Sequence, residues 1–339
     1  MKLVAGIMSS SHTEFAVASS AQAVRWLASG QRSSTRDAAN ISAFLGAGGC
    51  QMLLTALTTF AADSGTCYHL LDALVSLCLH DPFCFAWVEA GGLPVLISVM
   101  DAQAGNSPAQ DRCCWALVNL ALYIPNSIKI VTLGGLPRIY AALSGCNESA
   151  AVQHSGCRAL ASLATEDANE EAILASGGLL YIYAALDRHI LDDEVQMEGC
   201  AALGNLAGQD PSKLLIANSG GVQRTVSALV AHIEHAASPV LAEQCCLTIA
   251  NITAVDDPHA VTVGPRDIEC LCTAMRKWPA VATLQSEACR AIHNISVHGL
   301  PLLQSGSVIE LLEAAALLQD EECNYWANAA LAPLRQRSK

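Results

Sequence analysis

The residues best suited to do chemistry in this chain are its cysteines. There are fifteen, and six of them, Cys114, Cys157, Cys200, Cys246, Cys289 and Cys323, recur at nearly constant spacing. A zinc ion needs four ligands within about 2.3 Å, whereas thiols that appear once per period of a stacked array stand far apart. The neighbours Cys113-Cys114 and Cys245-Cys246 point to different faces of a helix, and no Cys-x-x-Cys occurs. His232-Ile-Glu-His235 differs from the His-Glu-x-x-His of zinc peptidases and reads as an exposed polar helix end. Gly46-Ala-Gly-Gly49 lacks the Lys-Ser/Thr and the preceding strand of a phosphate-binding loop. There is no Gly-x-Ser-x-Gly elbow, and the sequons at Asn251 and Asn294 fall in helices expected to be packed. The sequence predicts no catalytic centre, no metal site and no cofactor.

The elements behind those cysteines form a repeat. Glycine-centred turns stand at Gly49, Gly92, Gly135, Gly178, Gly221, Gly264 and Gly306, five steps of 43 residues and one of 42. A second marker keeps the same period: Cys114-Trp-Ala-Leu-Val-Asn-Leu-Ala121, Cys157-Arg-Ala-Leu-Ala-Ser-Leu-Ala164 and Cys200-Ala-Ala-Leu-Gly-Asn-Leu-Ala207. Cys246 arrives three residues late and Gly264 restores the phase, so one loop lengthened and the next shortened. Asp81-Pro82, Asp210-Pro211 and Asp257-Pro258 place a capping Asp beside Pro, a helix start. Gly91-Gly92-Leu93-Pro94 and Gly134-Gly135-Leu136-Pro137 supply glycine for a positive-φ corner before a second helix. That second helix shows i, i+3, i+4, i+7 spacing at Leu136, Ile139, Tyr140 and Leu143, and the third carries the Cys-x-Ala-Leu core. Triplets of this size cannot bury both faces alone and must stack, which predicts an all-α, right-handed α-solenoid of about seven units.

Composition agrees. Charged residues make up 14% and hydrophobic ones 52% of 339 residues, which excludes general disorder. No apolar run reaches the roughly 18 residues of a spanning helix, so no membrane insertion is expected. The net charge of −13 would repel phosphate backbones, which excludes nucleic acid as the expected partner. An odd number of cysteines predicts free thiols in a reducing, cytoplasmic or nuclear, compartment. Lys2, the run Leu3 to Met8 and Ala16-Val17-Ala18 imitate a signal peptide with too few apolar residues. Arg25, Arg32 and Arg36 imitate a transit peptide that Glu14 and Asp37 contradict. Residues 1–35 are therefore expected to form an N-terminal segment and capping helix, and residues 36–339 the repeat domain.

The pattern Gly-Gly-Leu-Pro followed by Cys-x-Ala-Leu-x-Asn-Leu-Ala resembles the armadillo repeat of the beta-catenin and importin-alpha family, over residues 37–332. The resemblance implies a non-enzymatic scaffold or adaptor that binds an extended protein segment along a groove of third helices. In that family an Asn in each third helix holds the peptide backbone, and the matching positions here are Ser76, Asn119, Ser162, Asn205, Asn251, Asn294 and Asn328. Two readings of these amides stand: they face the groove, or they cross-link neighbouring helices. One turn earlier the import branch places Trp, where this chain has Asp72, Trp115, Arg158, Ala201, Leu247 and Arg290. The row before that reads His69, Arg112, Ser155, Glu198, Gln244 and Glu287. Arg112, Arg158 and Arg290 would repel basic import signals, and the groove reads as positive near the second and third units and negative near Glu198. Trp115, Tyr123, Tyr325 and Trp326 are candidate aromatic anchors. Ten carboxylates between Glu148 and Glu198 read either as an acidic belt or as solvated helix starts. Two further readings follow from the resemblance: a structural subunit of a cytoskeletal or axonemal assembly, and a nuclear-transport adaptor.

Overall fold

A computed structural model of the chain describes residues 14–28, 35–235, 237–255, 261, 263–297 and 306–336. Among these the chain is helical, without strands. The helices are α1 (Glu14–Ala28), α2 (Thr35–Gly46), α3 (Gly49–Thr59), α4 (Ser64–Leu77), α5 (Asp81–Glu89), α6 (Gly92–Ala102) and α7 (Ser107–Ala121). They continue with α8 (Ile124–Thr132), α9 (Gly135–Gly145), α10 (Ala150–Leu163), α11 (Asp167–Ala175), α12 (Gly178–Arg188), α13 (Asp193–Asn205) and α14 (Asp210–Asn218). The last are α15 (Gly221–Ile233), α16 (Val240–Thr253), α17 (Pro265–Lys277), α18 (Ala282–Val297), α19 (Gly306–Ala315) and α20 (Glu321–Gln336). They gather into two compact units, Met1–Ala172 and Ile173–Lys339.

Each unit is a stack of triplets. In the first, third helix packs on third helix in the order α4, α7, α10, with α1 lying along α4 as if it were itself a third helix, and second helices α3, α6 and α9 run beside them. In the second the third helices are α13, α16, α18 and α20, and the second helices α12, α15, α17 and α19. The recurrent cysteine slot is core throughout: Cys114, Cys157, Cys200, Cys246, Cys289 and Cys323 are completely buried. So are the small residues Ala116, Ala159, Ala202 and Ala291, which let adjacent helices approach.

The double glycine works by division of labour. Gly91 and Gly134 take φ of 87° and 86° at the end of one helix, the left-handed region in which a side chain is strained. Their successors have no room for a side chain: a Cβ on Gly135 would stand 2.7 Å from the Ile130 carbonyl oxygen. Gly264 keeps the period but not this role. Its φ is −106°, and its N–H donates to the Asp267 carboxylate at 2.7 Å, the half of a capping box that a glycine cap allows. Among the described residues no first helix lies between α16 and α17. Asp257-Pro258 falls outside the described residues. Asp81 and Asp210 do begin helices, but at the first helical position rather than the cap, where His80 and Gln209 stand. There the carboxylate favours the positive end of the helix dipole instead of bonding to it.

One repeated residue escaped the sequence reading. Gln110, Gln153, Gln196 and Gln285 are buried, and each donates its amide N–H to two carbonyls closing the preceding second helix: Met100 and Gln103, Leu143 and Cys146, Leu186 and His189, Met275 and Trp278, at 2.8–3.2 Å. The second carbonyl of each pair also accepts a backbone N–H, from Asn106, Ser149, Asp192 and Val281, so it is the Met100, Leu143, Leu186 and Met275 carbonyls that would otherwise be orphaned in the core. Where the inserted loop displaces this residue, Lys277 Nζ of the next second helix donates to the Ile233 and Glu234 carbonyls that close α15. His232 is buried, not the exposed helix end that the sequence suggests, and holds the Ile190 carbonyl at 2.8 Å and the Asp193 carboxylate.

Candidate protein-binding face

The half-exposed surface of the third helices is where the anticipated binding residues fall, and each compact unit carries its own stretch of it. In the first unit Asn119 is buried and donates its Nδ2 to the Val75 carbonyl of the preceding third helix at 3.4 Å. Trp115 is half-buried and meets the His154 ring edge-on at 5.4 Å. Arg158 is exposed. Ser155, placed by sequence in the polar row of the groove, is fully buried, and His154 takes the outward position instead.

Arg112 does not supply the free positive charge read from the sequence. Its Nη2 lies 2.6 Å from Asp111 and its Nη1 3.4 Å from Asp72, which in turn takes Arg25 Nε of α1 at 3.0 Å. Two arginines and two aspartates sum to zero. Burial works against the Arg112 charge, but Asp111 and Asp72 outweigh it and hold its pKa above the ordinary value. Asp111 and Arg25 were missed because neither lies in the rows singled out for the groove. The signal was there, however: Arg25 precedes Asp72 by 47 residues, close to one period.

In the second unit Asn251 donates to the Gly204 carbonyl at 3.2 Å and accepts from Arg290 Nη2 at 2.8 Å. Arg290 is bound to Glu287 one turn back at 2.6 Å, so this arginine too is neutralised. Asn294 donates to the Ala250 carbonyl at 2.8 Å. Asn205 is exposed and Glu198 is buried. Asn328 is exposed but donates to Asn324 of its own helix at 2.8 Å, so the terminal copy makes no rung. Trp326 packs on His293 at 5.7 Å, and Tyr325, 64% exposed, meets Trp326 edge-on at 4.9 Å.

The amide nitrogens of Asn119, Asn251 and Asn294 thus stitch successive third helices together. The Oδ1 atoms of Asn119 and Asn294 accept no hydrogen bond among the described residues. The same chain of contacts separates the acidic residues into tasks. Asp192 caps α13 through Val195 N at 3.0 Å, and Asp187 pairs with Arg224 at 2.9 Å, as Asp101 does with Arg138 two repeats earlier.

No metal-binding group of three or more His, Cys, Asp or Glu exists among the described residues. All fifteen cysteines are free and buried. Burial pushes the thiols of Cys67 and Cys114 up to about 12, far from any reactive thiolate. No single described helix is long and apolar enough to cross a membrane.

This arrangement defines a class first, a helical-repeat solenoid whose triplets stack third helix on third helix. Within that class one triplet resembles the armadillo type. The family model of the Armadillo/beta-catenin-like repeat matches residues 80–122, the triplet α5 to α7. Two solved structures share the fold over 98% of this chain. One is an engineered protein crystallised by a structural genomics consortium, with 22% identity, a TM-score of 0.69 and 98% of its own length covered. The other comes from work on a phosphorylation switch that controls the interaction between cadherin and beta-catenin, with 15% identity, a TM-score of 0.60 and 75% of its own length covered. No curated protein matches in sequence. At these identities the likeness carries the fold.

Proposed function

We propose that this chain is a non-enzymatic protein-interaction scaffold that holds an extended partner segment along the half-exposed face of its third helices. The observation that carries this reading is the orientation of the amides. With Nδ2 committed to the preceding helix, Asn119 and Asn294 keep their oxygens for an incoming backbone N–H.

That orientation also bounds the energy. Two such hydrogen bonds contribute about 1–3 kcal/mol net, while micromolar binding requires about 8. Side chains of the partner must supply the remainder, against Trp115 with His154 in one unit and Trp326 with His293 in the other. Because Arg112 and Arg290 are neutralised in place, the face favours a segment of mixed or low charge over one that is strongly acidic.

The test is affinity purification from the native source followed by mass spectrometry, with the full chain and its Trp115→Ala/Arg158→Glu variant as parallel baits. Partners held by the unaltered chain and lost by the variant are the expected result. The same partners on both baits would remove the third-helix face from the account.

A further inference from the structure

A second surface lies on the first helices of the first compact unit, away from the third-helix face. Helices α5, α8 and the start of α11 lie side by side there. Phe85 meets Tyr123 at 4.4 Å, Lys129 reaches Glu89 at 3.6 Å, and Asn169 Nδ2 donates to Ser127 Oγ at 2.6 Å. The repeat makes these helices controls for one another. Their first residues, 43 apart, are Asp81, Ile124 and Asp167, and one turn further on stand Phe85, Ile128 and Glu171.

The fold is therefore content with a solvated carboxylate at either position, and at the first position a carboxylate is preferred, because it faces the positive end of the helix dipole. Helix α8 forgoes that stabilisation for isoleucine. Ile124 is 56% exposed, Ile128 41%, Phe85 50%, and Leu122 in the preceding turn 52%. Apart from the contact of Phe85 with Tyr123, no packing among the described residues asks for apolar side chains in water at these four places, and clustered exposed apolar surface of this kind marks a binding site. The rim is acidic: Asp81 and Glu89 border it on α5, Asp167 and Glu171 on α11, with Lys129 the one cation among them.

We propose that this ridge is a docking site for a protein segment with apolar side chains at its centre and Lys or Arg at its flanks. The apolar centre covers Phe85, Ile124 and Ile128, and the flanks meet the carboxylates at both borders. An anionic lipid surface would be repelled by that rim, and a second copy of a chain carrying −13 would bring like charge to like. The inference stands independently of the third-helix reading.

The experiment is a peptide-display selection on the immobilised full chain, followed by fluorescence anisotropy with the enriched peptides. The comparison chains are Ile124→Asp/Ile128→Glu, which writes the α11 residues into α8, and Phe85→Glu. Each places in its helix a residue that an equivalent helix already carries, so the circular-dichroism melting temperature serves as the fold control, and either variant alone suffices for the comparison. Enriched peptides with an apolar centre and basic flanks, bound about tenfold more weakly by either variant and undiminished by Trp115→Ala, are the expected result. Equal binding by wild type and variants, enrichment of acidic flanks, capture of anionic vesicles by the ridge, or sedimentation of a dimer abolished by the same substitutions would each overturn the proposal.

Discussion

Replacing Gln153 by leucine isolates the hydrogen bonds that close the repeat from the volume that fills it. The side chain is buried, and its Nε2 donates to the Leu143 carbonyl at 2.9 Å and the Cys146 carbonyl at 3.2 Å. Leucine keeps most of the volume and removes the donor, leaving the Leu143 carbonyl at the end of α9 unsatisfied while the Cys146 carbonyl keeps only the Ser149 N–H. At 0.5–1.5 kcal/mol for each lost bond, the expected destabilisation is about 1–3 kcal/mol. The same change at Gln110 falls at the low end of that range, since it also removes an Oε1 buried without a partner. Urea unfolding followed by far-ultraviolet circular dichroism measures the loss, with the exposed Gln51→Leu as the control expected within about 0.5 kcal/mol of wild type. Native-state hydrogen exchange localises it, with protection falling first at the end of α9 and the start of α10. A Gln153→Leu chain as stable as the Gln51→Leu control would refute the view that these glutamines hold the second helices closed.

Three further outcomes follow from the same contacts. Gly134→Ala should cost about 1 kcal/mol for its φ of 86°, and Gly135→Ala more, because its Cβ meets a backbone oxygen that cannot move aside; thermal melts of the pair rank them. Asp63 caps α4 by accepting from Thr66 N at 2.7 Å, and its bonds to Thr66 hold its pKa below the ordinary 3.8. Asp63→Ala should therefore lower stability by about 1 kcal/mol at neutral pH, with the difference shrinking as pH falls through the folded-state pKa, where the wild-type carboxylate is itself protonated. A colorimetric thiol reagent should find almost no reactive cysteine in the native chain and all fifteen after denaturation.

The triplet architecture was legible in the sequence because it is written many times over. The double-glycine turn from Gly48-Gly49 to Gly220-Gly221, the Cys-x-Ala-Leu core and the spacing at Leu136, Ile139, Tyr140 and Leu143 each state a local requirement that the structure meets, whereas Gly264 keeps only the period. What was not legible are contacts between rows that the repeat does not itself encode. Arg25 neutralises Asp72 from a helix outside the repeat, and Asp111 lies beside Arg112, one residue off the row read as facing the groove. A row-by-row reading therefore counted Arg112 as free charge. Gln153 and its equivalents had a visible period, but a polar residue in a helix reads as surface until the carbonyls it must satisfy are known. The amides are an intermediate case: sequence offered both a groove role and a cross-link, and the geometry uses the nitrogen for the cross-link.

That division bears on where specificity in such a chain resides. Residues that recur along the repeat, the cysteines, the glutamines and the nitrogens of Asn119, Asn251 and Asn294, are consumed in holding one helix to the next, and what they leave for a ligand is a pair of carbonyl acceptors worth about 1–3 kcal/mol. A protein built only of consensus units would stand but bind weakly. Selectivity must then come from positions at which one unit breaks with its neighbours. Trp115 stands alone in a row otherwise filled by Asp72, Arg158, Ala201, Leu247 and Arg290. Ile124 and Ile128 replace the acids that α11 carries at the same places. Each departure gives up something local, solvation or a favourable helix-end charge; Trp115 recovers part of it on His154 of the next triplet, and on the functions proposed above the remainder lies in a partner. The irregularities of the repeat, rather than its regularity, are the map of what this scaffold touches.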